Sequence, residues 1–177
     1  MKTLRLLPLL LLAALPARAE GEPTPLAAAF DQFITQSSQP CASRPAAECV
    51  SLGWKFLDRD RNGGLTAPEV QRLRQAMGEW ISWKGQELPA QARTGLGFGL
   101  LLADGLGVDR LITAFDGNAD GKVSQAELLA DVKLDQRPLG QVLADPAAVD
   151  RAALARRVGL PIELIGGLFR VNTSKSK

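Results

Sequence analysis

The apolar residues of this chain recur three and four residues apart, which is the spacing of one face of a helix. Short polar segments, often with glycine or proline, separate these runs. No segment alternates apolar and polar residues over the length of an ordinary strand. The pattern predicts an all-α fold with helices over residues 26–34, 48–57, 66 or 67 to 84, 108–115, 124–134, 138–144, 145–158 and 161–169.

Two of the intervening segments need separate interpretation. Residues 36–45 are polar and include Pro40 and Pro45, so they are predicted to form a loop. Residues 90–107 mix glycine with leucine and phenylalanine, but they contain no phosphate-binding G-x-G-x-x-G pattern and no Walker lysine. This segment is also too short to span a membrane, and Asp104 interrupts it. A buried, closely packed helix or hairpin is therefore predicted there.

The first 19 residues have the organisation of a secretory signal peptide. Lys2 and Arg5 precede a short apolar run over residues 6–15, and Ala17 and Ala19 form a small-x-small cleavage pattern. The alternative is an apolar helix of the fold, which the order of these three parts disfavours. We expect an exported protein, periplasmic or secreted, whose mature chain begins at Glu20.

Export changes the interpretation of the two cysteines. Cys41 and Cys49 are separated by seven residues, and an oxidising compartment favours a disulfide between them. A redox-active pair is disfavoured because there is no Cys-x-x-Cys motif. The predicted role of the bridge is to tie the segment before residue 45 to the following helix.

Composition and charge exclude several classes of function. The 177 residues include no histidine, which removes histidine-based catalysis and histidine metal sites. Without residues 1–19 the chain loses Lys2, Arg5 and Arg18 of its 21 basic residues, which leaves 18 against 19 acidic residues. A chain so close to neutral is not expected to bind nucleic acid or an anionic membrane surface.

Two twelve-residue segments carry the same pattern, D-x-[DN]-x-[DN]-G-x5-E. Loop one, residues 58–69, begins Asp58, Asp60, Asn62 and ends with Glu69. Loop two, residues 116–127, begins Asp116, Asn118, Asp120 and ends with Glu127. An oxygen at every second residue followed by a glycine turn suits Ca²⁺, a hard cation that takes six to eight oxygen ligands. The closing glutamate can offer two oxygens, which suits Ca²⁺ better than Mg²⁺.

Both loops resemble EF-hands, the helix–loop–helix calcium modules, and the resemblance covers about residues 48–133. It implies two Ca²⁺ ions per chain and a short β-bridge between the loops through Leu65 and Val123. The implied ligands are Asp58, Asp60, Asn62, Gly64, Thr66, Glu69, Asp116, Asn118, Asp120, Lys122, Ser124 and Glu127. Gly64 and Lys122 would use their backbone carbonyl groups, and Thr66 and Ser124 would act through water.

The resemblance has one departure and one asymmetry. The first aspartates of the two loops are 58 residues apart, and the extra length coincides with residues 90–107. Loop one contains Arg59 and Arg61, whereas the only basic residue of loop two is Lys122. Loop two is therefore expected to bind calcium at least as tightly as loop one.

The role of calcium leaves three alternatives. The favoured one is a calcium-responsive interaction module that exposes apolar surface to a protein partner, through a stripe comprising Leu73, Met77, Trp80 and Ile81. The second is a calcium-stabilised structural or buffering protein. The third, a cell-wall-acting enzyme with embedded EF-hands, is disfavoured because Glu48, Glu79, Glu87 and Glu163 lie in no recognisable catalytic context. The oligomeric state does not follow from the sequence.

The expected organisation has five parts: a signal peptide at 1–19, an N-terminal helix and disulfide loop at 20–47, the loop pair at 48–133, C-terminal helices at 134–170 and a polar tail at 171–177.

Overall fold

The computed structural model describes residues 21–168, so the predicted signal peptide, the start at Glu20 and the tail lie outside the described residues. The described chain is mainly helical, in agreement with the predicted all-α class. Its elements in chain order are α1 (Pro25–Ser43), α2 (Ala46–Leu57), β1 (Gly64–Leu65), α3 (Ala67–Lys84), α4 (Ala90–Leu106), α5 (Val108–Phe115), β2 (Val123–Ser124), α6 (Gln125–Leu128), α7 (Leu139–Ala144), α8 (Arg151–Val158) and α9 (Ile162–Leu168). A 3₁₀ turn over Gly85–Glu87 follows α3.

Local signals in the sequence set several of these boundaries. The Thr24 hydroxyl accepts a hydrogen bond from the Ala27 N–H at the start of α1. Pro68 lies in the first turn of α3, where its missing N–H costs nothing. Gly159 ends α8 in the left-handed conformation at φ 67°. Helix termini of this kind depend on residues within one turn of the end.

The loop predicted over residues 36–45 is wrong, because α1 continues to Ser43 with Pro40 inside it. Pro40 has no N–H to donate to the preceding turn. Two serine hydroxyls near Pro40 donate hydrogen bonds to carbonyl groups of the preceding turn. Ser37 donates to the Phe33 carbonyl at 2.7 Å, and Ser43 donates to the Gln39 carbonyl at 2.9 Å. The disulfide between Cys41 and Cys49 is confirmed, and it fastens the last turns of α1 to α2.

The C-terminal half is less helical than predicted. Helix α6 ends at Leu128 rather than 134, and α8 begins at Arg151 rather than 145. Between them, Val132 and Val149 form an isolated antiparallel bridge, supported by a 2.8 Å hydrogen bond from the Lys133 N–H to the Ala148 carbonyl. The segment before α8 contributes Ala148 to a small core with Ala46 and Val142, and Val132 and Leu134 of the segment after α6 pack against it.

Residues 90–106 form a helix, which is one of the two predicted alternatives, but the side chains that the structure describes are less buried than predicted. None of the side chains described in α4 is fully buried, and Leu101 is 69% exposed. Leu96 of this helix packs against the core formed by α1 and α3, and Leu106 packs against the core near α8. A Cβ atom placed on Gly97, Gly99 or Gly105 would meet no atom within 4 Å outside the backbone of the helix itself.

The largest core lies between α1 and α3. Phe30 and Trp80 meet edge to face with ring centroids 5.7 Å apart, and Phe33 stacks on Phe56 at 4.4 Å. This core holds α1 against the helices that flank loop one. Within residues 21–168, no helix combines the length and the apolar character that crossing a membrane requires.

Candidate metal centre

The two loops lie side by side because β1 and β2 pair antiparallel. Gly64 is opposite Ser124 and Leu65 is opposite Val123. Leu65 and Val123, the eighth residues of their loops, are both buried. Helices α2 and α3 flank loop one, and α5 and α6 flank loop two. The strand pair thus gives the two loops a shared, fixed base.

The two loops have the same backbone course. Gly63 and Gly121, sixth in their loops, have φ values of 85° and 83°. Arg61 and Ala119, fourth in their loops, both have φ 59°. The glycine turns were predictable from the pattern, but the left-handed residues at the fourth position were missed. No side chain at that position signals it, since arginine and alanine both resist this conformation.

Backbone N–H groups of loop one point at its first carboxylates. Asp58 is only 6% exposed, and it accepts hydrogen bonds from the Asn62 N–H at 3.1 Å and the Gly63 N–H at 2.9 Å. Asp60 accepts from the Asn62 N–H at 3.0 Å and from the Asn62 amide at 2.8 Å. The Asn62 side-chain oxygen accepts from the Gly64 N–H at 2.9 Å. The chain therefore wraps around a set of side-chain oxygens.

Glu69 reaches back across the loop from the first turn of α3. Its carboxylate accepts hydrogen bonds from the Arg59 N–H at 2.7 Å, the Thr66 N–H at 2.9 Å and the Thr66 hydroxyl at 2.8 Å. Partial burial by itself would raise the pKa of Glu69, but these three donors outweigh it and hold the pKa below its usual value. The group that closes the loop is therefore ionised at neutral pH.

The carboxylates of Asp58, Asp60 and Glu69 each place an oxygen within 4.8 Å of the others. Three acidic groups so close together repel one another unless a cation lies between them. An all-oxygen donor set of this charge fits a hard divalent ion such as Ca²⁺. The structure thus brings the acidic ligands predicted for loop one together at a site that could hold a metal ion.

Loop two repeats the same hydrogen bonds. Asp116 accepts from the Gly121 N–H at 2.8 Å, and Lys122 donates its N–H to Asp120 at 3.1 Å. Glu127 accepts from the Ser124 hydroxyl at 2.7 Å and from the N–H groups of Gly117 and Asn118. The Ser124 hydroxyl is the main cause that holds the pKa of Glu127 below its usual value.

The two loops differ in how closely their carboxylates converge. Within the described part of the chain, three acidic ligands approach to 4.8 Å in loop one, whereas those of loop two do not. Thr66 and Ser124 both donate their hydroxyl groups to the closing glutamate. Their predicted role as ligands that act through water stays a prediction.

The apolar stripe predicted as a partner surface lies against α1 in the structure, with Trp80 buried and Leu73, Met77 and Ile81 half-buried. Trp80 is buried against α1, and its indole N–H donates to Asp31 at 2.9 Å. Leu73, Met77 and Ile81 pack around the same core. The helix that packs against the stripe is α1, through Ala27, Phe30 and Phe33.

Comparison of the chain with protein-family models, with curated proteins and with solved structures finds no match. A functional interpretation therefore rests on the two loops themselves.

Proposed function

We propose that the protein binds two calcium ions, one in each loop, as a pair of EF-hands. The observation that carries this proposal is the convergence of Asp58, Asp60 and Glu69 within a loop whose backbone wraps their oxygens. The matching φ values and hydrogen bonds of loop two extend the proposal to the second ion. The ligands would be the side-chain oxygens at the first, third, fifth and twelfth positions and the carbonyl at the seventh.

We further propose a stabilising role for calcium, in preference to a responsive one. The stripe on α3 packs against Phe30 and Ala27 of α1, so exposing it requires α1 to leave a core of aromatic residues. Asp31 adds to the cost because it accepts hydrogen bonds from both Trp80 and Lys84. A calcium-responsive interaction module remains the second candidate, favoured by the position of Glu69 at the start of the helix that carries the stripe.

Calorimetric titration with calcium tests the binding proposal directly. We expect two ions per chain, with dissociation constants on the order of 10⁻⁴ to 10⁻³ M, as in modules outside the cytosol. Glu69→Gln and Glu127→Gln should each remove one ion, because each closing carboxylate supplies two oxygens and a charge. Glu87→Gln, in the exposed 3₁₀ turn after α3, is the matched control and should retain both.

Wild-type protein that binds no calcium, or a Glu69→Gln variant that still binds two ions, would contradict the proposal. Magnesium provides a second comparison. It should compete weakly, since bidentate closure suits the larger ion.

A further inference from the structure

Lys122 of loop two reaches across the strand pair to loop one. Its side chain lies over Gly64, where a Cβ atom would come within 2.7 Å of the lysine Cδ and 2.8 Å of its Cγ. Its ammonium nitrogen lies 3.4 Å from the carbonyl oxygen of Asn62. Lys122 belongs to loop two by sequence, but its charge lies at the backbone of loop one.

Gly64 and Lys122 occupy the same seventh position of their two loops, and each donates its N–H to a side-chain oxygen of its own loop. Only Lys122 carries a long side chain, so loop two extends a side chain to loop one and loop one extends none from this position to loop two. The glycine at position 64 has a negative φ and is buried. Its missing side chain is therefore needed for space rather than for backbone conformation.

This arrangement changes the charge balance of the two loops. Loop one holds three carboxylates, which Arg59 and Arg61 partly offset, and the ammonium of Lys122 adds a third positive charge beside it. Loop two holds three carboxylates, and its single lysine points its charge away toward its neighbour. The formal charges at loop one therefore sum to nearly zero, whereas those at loop two remain strongly negative. A divalent cation is attracted less to loop one than to loop two.

We propose that Lys122 sets the calcium affinity of loop one from loop two, so that loop one is the weaker site and fills second. The inference rests on the proposed calcium function and adds to it a residue that makes the two sites unequal. Gly64 is the positioning partner, because it leaves the space through which the lysine side chain passes.

The test isolates loop one with Glu127→Gln and measures its calcium affinity by calorimetry as residue 122 is varied. Lys122→Gln should tighten loop one roughly threefold to tenfold, and Lys122→Glu should tighten it further by a similar factor, because each step removes one unit of repulsion from a divalent ion. Lys122→Arg keeps the charge and should keep the affinity. The effect should fade between about 20 mM and about 1 M salt, since salt screens exposed charges.

Two further variants separate this effect from a general change in charge or fold. Gly64→Ala pushes the lysine side chain off loop one while leaving its charge in the protein, so it should tighten loop one in the Glu127→Gln protein but not when Lys122→Gln is also present. Lys133→Gln removes a lysine whose backbone pairs with Ala148, outside both loops, and should leave the affinity unchanged.

Different results would contradict the role of Lys122 and the calcium proposal itself. Calcium binding to loop one with the same affinity in Lys122→Gln and Lys133→Gln would overturn the role of Lys122 alone. An equal tightening by Lys133→Gln would likewise overturn it, because the effect would then be one of net charge. Absence of binding in the wild type would overturn both.

Discussion

Arg61 and Ala119 hold left-handed backbone at the fourth position of their loops, at φ 59°. For residues other than glycine this conformation costs roughly 1–2 kcal/mol. The strain remains because both neighbouring turns need it: the N–H groups that follow donate to the first aspartate of each loop. At the residue scale, the loops therefore keep their shape at a local cost.

Ala119→Gly should relieve this cost. Allowing for the greater flexibility of glycine in the unfolded chain, we expect the free energy of unfolding to rise by about 0.5–1 kcal/mol in the presence of a chelator. Ala114→Gly, within α5, is the control and should lower it by about 1 kcal/mol. Urea denaturation measures both. A loss of stability in Ala119→Gly equal to that in Ala114→Gly would show that residue 119 is not strained.

At the element scale, the contacts of α1 determine which surfaces are free. Asp31 links α1 to α3 through the indole of Trp80 and the ammonium of Lys84, both at 2.9 Å. The disulfide links the other end of α1 to α2. Because it is fastened at two points, α1 remains over the stripe on α3 even though Pro40 weakens its last turns.

The link through Asp31 should depend on pH. The Trp80 indole, and then the Lys84 ammonium, hold the pKa of Asp31 below its ordinary value of 3.8. A depressed pKa in the folded state adds stability above the pKa of the unfolded chain, and this stability is lost as the pH falls through the folded value. Asp31→Asn should therefore be less stable than wild type at neutral pH, with a difference that narrows below about pH 4.

Thermal unfolding across this pH range measures that difference. Glu22→Gln, at an exposed residue, is the comparison variant. A difference between Asp31→Asn and wild type that stays constant down to pH 2 would contradict the role of the carboxylate.

The disulfide should contribute through the unfolded state. Closing a loop this short removes conformational entropy worth about 2–3 kcal/mol, so Cys41→Ser with Cys49→Ser should lower the free energy of unfolding by about that amount. Intact mass of exported protein should show two fewer hydrogens than the reduced chain and, if the signal peptide is cleaved as predicted, loss of residues 1–19. A free-thiol mass with unchanged stability in the double variant would contradict the structural role of the bridge.

At the scale of the whole molecule, the two loops lie between two helical parts, each with its own core. Loop one joins α2 to α3, both of which pack with α1, whereas α5 and α8 meet through a separate core that includes Phe115 and Val158. The strand pair connects these two parts. Ions bound in both loops would therefore stabilise the folded arrangement of the whole helical assembly.

Calcium should raise the melting temperature and leave the fluorescence of an apolar dye unchanged. At a hundredfold excess over the dissociation constant, one site adds about 2.7 kcal/mol to the folded state. Because α1 covers the stripe, dye fluorescence should not increase with calcium, and tryptophan emission should not shift to the red. A rising dye signal with a red shift would instead support the responsive role, with α1 as the element that moves.

Much of the candidate site could be predicted because its determinants are local. Every proposed ligand of each loop lies within twelve residues, and the glycine turn and the closing glutamate act on the same short segment. The same reasoning holds for the start of α3 and the end of α8, which depend on Pro68 and Gly159. Local backbone geometry and capping are determined by neighbours in sequence, so the sequence was sufficient to predict them.

The tertiary structure decided everything that depends on distant residues. Helix α1 extends through Pro40 because a disulfide and an aromatic core hold it, and the segments on either side of α7 leave the helical conformation where Val132 pairs with Val149. The side chain of Lys122 lies over Gly64 because the strands bring the two loops together. Packing of this kind contributes several kcal/mol, more than the local preferences of single residues, and its partners are not adjacent in the sequence.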